Sequence, residues 1–311
     1  MGLIRKPNEI TINPTIQMLI YGQAGTGKTT LALSAPSPLL LDFDGGVSRV
    51  NSAHMCDTVQ ITSYQDALDV LKEDLTPYRS IIIDTAGKLL DYMSEWLIKR
   101  NSKLGKSNGA LSLQGFGERK AEFRNFCRQI RSLNKHLVFV AHRETQRNGD
   151  DIRYVPIFGG SSYDDLVTEL DLVGYLEAVG RKRMITFDPT DRNDGKNTIN
   201  MPPMNELPVT VGADGIGLPN AYIADSIIEA FGRRLEANRV LNEEFAQIME
   251  VIGGIVDGVK DAETANEACE AVKALQHVGN SKIIGAKMIA DKAKELGLKL
   301  DKQTGRYEQA L

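Results

Sequence analysis

The chain has 311 residues, 42% of them apolar, and a net charge of −4, enough length to bury one substantial core and a smaller accessory unit. Its three cysteines, Cys56, Cys127 and Cys269, are widely spaced and form no C-x-x-C pair, which argues against a disulfide framework and a cysteine-bound zinc. The N-terminus MGLIRKPNEI has no signal-like apolar stretch and no later run approaches the roughly 20 apolar residues that span a bilayer, so a soluble cytoplasmic protein with no membrane partner is expected.

IQMLIY (16–21) is a short apolar run ending at a glycine-rich loop and predicts a buried strand feeding a helix over TTLALS. PLLLDF (38–43), SIIIDT (80–85) and HLVFVAH (136–142) read as three more buried strands, with helical patterns between them at 64–75, 88–100 and 119–133. Strands that are apolar throughout and alternate with helices predict an α/β fold with a mostly parallel central sheet covered on both faces. DLVGYLE (171–177) and RKRMITFD (181–188) read as an antiparallel pair closing that sheet, and 189–220, rich in Pro, Gly, Asn and Asp, as loop. From Arg233 the pattern changes to three helix-period segments with no strand signal. The expected organisation is an N-terminal extension over 1–15, a nucleotide-binding core over 16–232 and a C-terminal three-helix domain over 233–311.

Gly22-Gln23-Ala24-Gly25-Thr26-Gly27-Lys28-Thr29 fits G-x-x-x-x-G-K-[ST] between a predicted strand and a predicted helix, the context a phosphate loop requires. Such a loop, continued by Thr30, turns consecutive backbone N–H groups and a helix N-terminus toward the phosphates of ATP. Lys28 is expected to reach the β- and γ-phosphates and the Thr29 hydroxyl to ligate Mg²⁺. Asp84, at the end of SIIIDT, lies where a neighbouring strand tip meets the metal, although a strand-terminal Asp also serves as a helix cap, as does Thr85.

A phosphate loop does not fix function, because kinases, switches and motors share it. Asp42 and Asp44 end PLLLDF, and an Asp-x-Asp places both carboxylates on one side of an extended chain. One of them orienting a water and the other anchoring the turn through Gly45 and Gly46 is one reading; both serving only to cap the turn is another. His142 ends HLVFVAH, where a lone histidine is commonly structural.

The order of phosphate loop, apolar strand with acid-x-acid, the strand IIIDT, and LVFVAH with a polar residue at its tip resembles the RecA ATPase core. It is most similar to phage-encoded RecA-core proteins linked to single-strand annealing and recombination. The resemblance covers the organisation of about 15–232. It implies a RecA-like P-loop ATPase core, with Asp44 activating the hydrolytic water where RecA has Glu, and His142 sensing the γ-phosphate where RecA has Gln. It further implies a homo-oligomer, ring or filament, acting on single-stranded DNA in the host cytoplasm, with a single-strand-binding protein as a further partner. Arg192, in DPTDRNDGKN, is the favoured candidate for an arginine donated by a neighbouring subunit, with Arg181, Lys182 and Arg183 as others.

For the polymer site, two segments have suitable composition: 101–117, which carries Lys103 and Lys106 and is expected to be flexible, and 143–162, with Arg143 and Arg147 and with Tyr154 and Phe158 to stack on bases. Between Lys99 and Lys135 ten Lys and Arg stand against two acids, a local +8 within an acidic chain. On the helix there, Phe123, Phe126, Cys127, Ile130 and Leu133 make the expected buried stripe. Lys120, Arg124, Arg128, Arg131 and Lys135 supply a basic face, open to DNA phosphates, to solvent or to an acidic neighbour, and Arg119 is a further DNA-binding candidate beside Lys120 and Arg124. Two other functions fit the loop. One is a nucleotide or small-molecule kinase with 143–153 as an arginine-bearing lid, and the other is an ATP-gated switch or assembly protein.

Overall fold

A computed structural model describes residues 14–159 and 163–309, so nearly all of the expected 1–15 extension lies outside the described residues. The described residues form two compact units that divide between Gly232 and Arg233.

The first unit is built on β1 (Gln17–Gly22), α1 (Lys28–Ala32), β2 (Pro38–Asp42), β3 (Thr58–Gln60), α2 (Tyr64–Val70), β4 (Ser80–Asp84) and α3 (Ala86–Arg100). It continues through α4 (Leu113–Ser132), β5 (His136–Asn148), β6 (Asp151–Pro156), α5 (Tyr163–Val167), β7 (Leu172–Val179), β8 (Lys182–Thr186), β9 (Lys196–Asn197) and β10 (Met204–Glu206). The strands join in one sheet of order β10-β8-β7-β1-β5-β4-β2-β3, with β6 on β5 and β9 on β7. From β7 to β3 that path is parallel, and β8 and β10 add an antiparallel edge, so the chain has the α/β architecture of a P-loop NTPase.

Alternate residues of the central strands enter different cores. Leu19, Tyr21, Leu41, Ile81, Ile83 and Phe139 pack with α2, α3 and α4 on one face. Met18, Ile20, Leu40, Ile82, Val138 and Val140 pack on the other with Leu31 and Ala32 of α1 and with Ile223 and Ile227 of a π-helical turn, Ile223–Ile228. Burial on both faces is why these strands are apolar at consecutive positions, where a half-exposed strand would alternate.

The strand order places β5 between the phosphate-loop strand β1 and the Asp84 strand β4. Gly22 is in register with His142, Asp84 with Val140, and Asp42 with Asp84, so these strand tips lie along one carboxyl edge, where open α/β sheets bind ligands.

Several expectations are corrected. The segment 143–162 does not begin as a loop: β5 runs on to Asn148, and Arg143–Asn148 pairs antiparallel with Asp151–Pro156. The polar composition hid a hairpin whose turn uses Gly149 at φ +62. Phe158, expected to stack on bases, is 0% exposed and packs against the rings of Phe123 and Phe139. Burying such a ring is worth about 2–3 kcal/mol, so it serves the core. The segment 101–117 is also more structured than expected. Leu104 and Leu111 are buried, Gly105 bridges Leu111, and α4 starts at Leu113 because the Ser112 side chain accepts from the Gly115 N–H. A Cβ on Gly115 would strike the Leu104 carbonyl, which explains the glycine in the first turn of that helix.

The basic face of α4 is largely committed within the fold. Arg119 is 8% exposed and donates to Ser94 Oγ and the Gly159 carbonyl, each at 3.3 Å, which removes it from the DNA-binding candidates. Arg124 stands 3.6 Å from Glu169, and Arg131 3.1 Å from Asp171. Lys135 donates to the Leu75 and Tyr78 carbonyls. Leu133, placed in the buried stripe by its spacing, is exposed because it caps the helix after the stripe has turned away.

In the second unit, α6 (Glu229–Asp257, whose first four residues belong to the first unit), α7 (Ala262–Ala274) and α8 (Ser281–Glu295) are followed by β11 (Leu298–Leu300) and β12 (Tyr307–Gln309). The antiparallel pair β11–β12 corrects the expectation of helices alone. Leu298 and Tyr307 join Ile252, Val256, Ala265, Val272 and Ile289 in the core of this unit. Among the described residues no helix is long and apolar enough to cross a membrane.

Candidate nucleotide site

The phosphate loop leaves β1 at Gly22 and enters α1 at Lys28. A Cβ on Gly22 would run into the Leu176 carbonyl of β7, so the loop can leave the sheet here only without a side chain. Gly25 and Gly27 have φ of +77 and +93, the left-handed conformations that fold the loop over the helix N-terminus. Thr26 Oγ1 and Lys28 Nζ both donate to the Gln23 carbonyl, at 2.8 and 2.9 Å.

Thr29 Oγ1 donates to Asp84 Oδ2 at 2.5 Å, so the two expected metal-binding residues are in contact. Lys28 and Asp84 are both buried. Burial lowers the pKa of Lys28 more than Asp84 raises it, and burial raises the pKa of Asp84 more than Thr29 and Lys28 lower it. Mutual attraction therefore does not repay the desolvation of either charge, and both gain from a ligand that brings phosphate oxygens and a divalent cation. Among the described residues no cluster of three His, Cys, Asp or Glu could hold a metal by itself. One hydroxyl and one carboxylate fit Mg²⁺, a hard cation that takes oxygen ligands and would be held here by Thr29 and Asp84 together with phosphate and water.

The two aspartates after β2 are differently placed. Asp42 is buried, and its carboxylate accepts from the backbone N–H groups of Asp44, Gly46 and Val47 at 3.2, 3.0 and 3.1 Å. It anchors the turn. Asp44 turns outward, with Oδ2 3.8 Å from His142 Nε2, and both side chains line a cavity of about 280 Å³ together with Lys28, Thr29, Asp84, Thr85, Arg49 and the loop residues Ala24, Gly25, Gly27 and Thr30.

A second cavity, of about 190 Å³, adjoins the loop on its other side and shares Gly25, Gly27 and Thr30 with the first. Its far wall is Arg183, Leu207, Pro208, Thr210, Asn220 and Tyr222. Asn220 is fixed by donating to the Thr30 carbonyl at 2.7 Å, and among the described residues the buried Tyr222 hydroxyl has no hydrogen-bond partner.

A family model for the AAA domain matches residues 15–199, more than half of the chain. The chain belongs to this AAA-domain family. It is accordingly a P-loop AAA-type ATPase, and the match runs from the start of β1 through β9, spanning every residue of the larger cavity. No curated protein matches the chain.

The remaining sequence candidates of this AAA-domain chain fall elsewhere. Arg143, expected on DNA, donates instead to Gln23 Oε1 in the phosphate loop at 3.1 Å and to the Tyr175 hydroxyl at 2.6 Å, with its guanidinium 4.0 Å above the Tyr154 ring. Tyr154 is stacked on Tyr175 and pairs with Arg192, whose guanidinium lies 5.6 Å from the ring. Lys103, Lys106 and Arg147 are exposed, and Lys120 is half-buried. Arg181 and Lys182 lie at the β7–β8 turn, while Arg183 lines the smaller cavity. Sequence reasoning missed Arg49, Thr210, Asn220 and Tyr222. They come from segments with no motif, and only the fold brings them to the loop.

Proposed function

We propose that the chain is an ATP-hydrolysing protein of RecA-like type that works as a homo-oligomer on single-stranded DNA, in annealing or recombination of the phage kind. The observation that carries the proposal is the gathering of Lys28, Thr29, Asp84, Asp44 and His142 around one cavity. Phosphate, metal, water and γ-phosphate reporter then each have a residue. Lys28 and the loop N–H groups hold phosphate oxygens, and Thr29 and Asp84 hold Mg²⁺, which supplies charge neutralisation when bound. Asp44 accepts a proton from the attacking water, and His142, in register with Gly22, carries the state of the γ-phosphate into β5. The smaller cavity takes the base, with Asn220 and Tyr222 facing it. The strand order, with β5 between β1 and β4, supports the RecA-like reading.

The continuation of β5 beyond His142 supports a nucleotide-linked role for the β5–β6 hairpin. Its tip carries exposed Arg147, and the 101–112 segment carries exposed Lys103 and Lys106, which can pair with a phosphate backbone. The kinase reading is disfavoured because its arginine lid would be this hairpin, in which Arg143 is held by Gln23 and Tyr175, and Arg153 by Asp194. The ATP-gated switch differs from the proposal only in lacking turnover.

Binding of single-stranded DNA at low salt tests the polymer role. Charge-removing changes at Lys103, Lys106 and Arg147 are expected to weaken it additively and to flatten its salt dependence by about one counterion each. No binding by the wild type at low salt would rule out the DNA role and leave the ATPase reading standing.

A further inference from the structure

Five residues beyond Asp44, a short 3₁₀ turn, Val47–Arg49, brings Arg49 to the cavity lined by Lys28, Thr29, Asp44, Asp84 and His142. The position of that turn is fixed from below. The buried Asp42 carboxylate holds the N–H groups of Asp44, Gly46 and Val47, and Val50, next after Arg49, is buried in the sheet core. The guanidinium lies back over the turn, with Arg49 Nη2 3.5 Å from where a Cβ on Gly46 would lie, an ordinary packing distance. Among the described residues the guanidinium makes no hydrogen bond or ion pair, so its donors are available to a ligand.

The charge of the cavity gives Arg49 a role. Its lining holds two basic side chains that are not imidazoles, Lys28 and Arg49, and two carboxyl groups, Asp44 and Asp84. In the ATPase reading Asp84 faces the metal and Asp44 the water, which leaves Lys28 and the reporter His142 as the other lining side chains at a terminal phosphate whose charge moves during transfer. A planar guanidinium with five donors matches three equatorial oxygens better than a single ammonium does.

We infer that Arg49 is a cis-acting arginine that binds the terminal phosphate of the nucleotide and stabilises its charge during hydrolysis. The inference rests on the nucleotide-hydrolysing reading above, and it gives to this chain's own Arg49 the task that the family resemblance gives to Arg192 of a neighbour. In the step it assists, the water oxygen bonds to the γ-phosphorus. The bond from that phosphorus to the β,γ-bridging oxygen breaks, and its electron pair leaves on ADP. The water proton passes to Asp44 and from there to solvent. Arg49 forms and breaks no covalent bond; its N–H groups hold the equatorial oxygens throughout.

The test uses the full chain as wild type, Arg49→Ala and Arg49→Lys, and measures affinity for ADP and for a non-hydrolysable ATP analogue in Mg²⁺, together with ATP turnover. Arg49 is exposed, so both variants should keep the wild-type circular dichroism and melting profile. Arg49→Ala is expected to weaken the analogue by about tenfold more than it weakens ADP, the worth of a charge-assisted contact. It is also expected to cut turnover by on the order of 10³-fold. Arg49→Lys should keep part of the analogue affinity and little of the turnover, since an ammonium cannot make the bidentate contact. A ratio of analogue to ADP affinity equal to wild type in both variants overturns the inference, and so does recovery of activity when Arg49→Ala is mixed with Lys28→Ala, which would make the arginine act in trans. Wild type that binds nucleotide without turnover would refute hydrolysis, while the affinity ratio still decides the Arg49 contact.

Discussion

Thr29 Oγ1 and Asp84 Oδ2 are joined by a 2.5 Å hydrogen bond across 55 residues of chain, tying the first turn after the phosphate loop to the tip of a strand that is not its sheet neighbour. The gap between β1 and β4 is filled by β5, so the contact reaches across the carboxyl edge of the sheet.

The contact has a pH signature. Burial holds the Asp84 carboxyl above the usual range, so without ligand the folded chain takes up this proton more readily than the unfolded one. The resulting penalty is absent below the ordinary Asp pKa and is fully felt once the pH has risen through the raised value. Asp84→Asn, melted in EDTA at pH 7, is therefore expected to exceed wild type in Tm by about 2–4 °C, with the difference gone near pH ~3.5. The same variant should lose Mg²⁺-dependent ATP turnover.

Asp42 and Asp44 are expected to separate stability from chemistry. Asp42→Ala leaves three backbone N–H groups of the turn without their acceptor and should cost about 2–4 kcal/mol in chemical denaturation, with turnover falling as well. Asp44→Asn should keep both the melting point and ATP affinity and lower turnover by about 10²-fold or more. Unchanged turnover in Asp44→Asn would remove it from the water-positioning role.

Two glycines of the phosphate loop should fail for different reasons. Gly22→Ala drives a methyl into the Leu176 carbonyl of β7, so it should unseat the loop and lower stability as well as ATP affinity. At Gly27 a Cβ would meet nothing within 4 Å, and the only cost is the left-handed backbone, about 1–2 kcal/mol. Melting curves with and without ATP distinguish the two.

In the proposed reading Tyr222 faces the base. Its hydroxyl is buried and, among the described residues, has no hydrogen-bond partner, and burial pushes its pKa up to about 12. Tyr222→Phe should therefore stabilise the free chain by about 1 kcal/mol, since an unsatisfied buried hydroxyl is removed. It should also reduce the preference for ATP over GTP, measured by competition.

The sequence made different parts legible to different degrees. The four parallel strands could be read because burial on both faces leaves unbroken apolar runs such as Ile81-Ile82-Ile83, and Gly22 to Thr29 could be read because the loop's chemistry restricts nearly every position. The β5–β6 hairpin is not legible because one polar strand pairing another carries no apolar signal, and Asn148-Gly149-Asp150-Asp151 does not stand out from the polar residues around it. The burial of Arg119 and Phe158 was missed because helical spacing gives a face but not what covers it. Asp42 and Asp44 could be found but not told apart, since only the hydrogen bonds to Gly46 and Val47 assign the anchoring role. Arg49, Asn220 and Tyr222 left no local signal at all, because their placement depends on a turn and on a segment that returns from the far side of β8.

In the proposed reading this cavity hydrolyses ATP in the service of single-stranded DNA. The most direct measurement is Mg²⁺-dependent ATP turnover by wild type and by Lys28→Ala, each with and without single-stranded DNA at low salt. Wild type is expected to turn over ATP, faster when DNA is added, and Lys28→Ala to show no turnover in either condition. Equal turnover in wild type and Lys28→Ala, or wild-type turnover that ignores DNA, would contradict it.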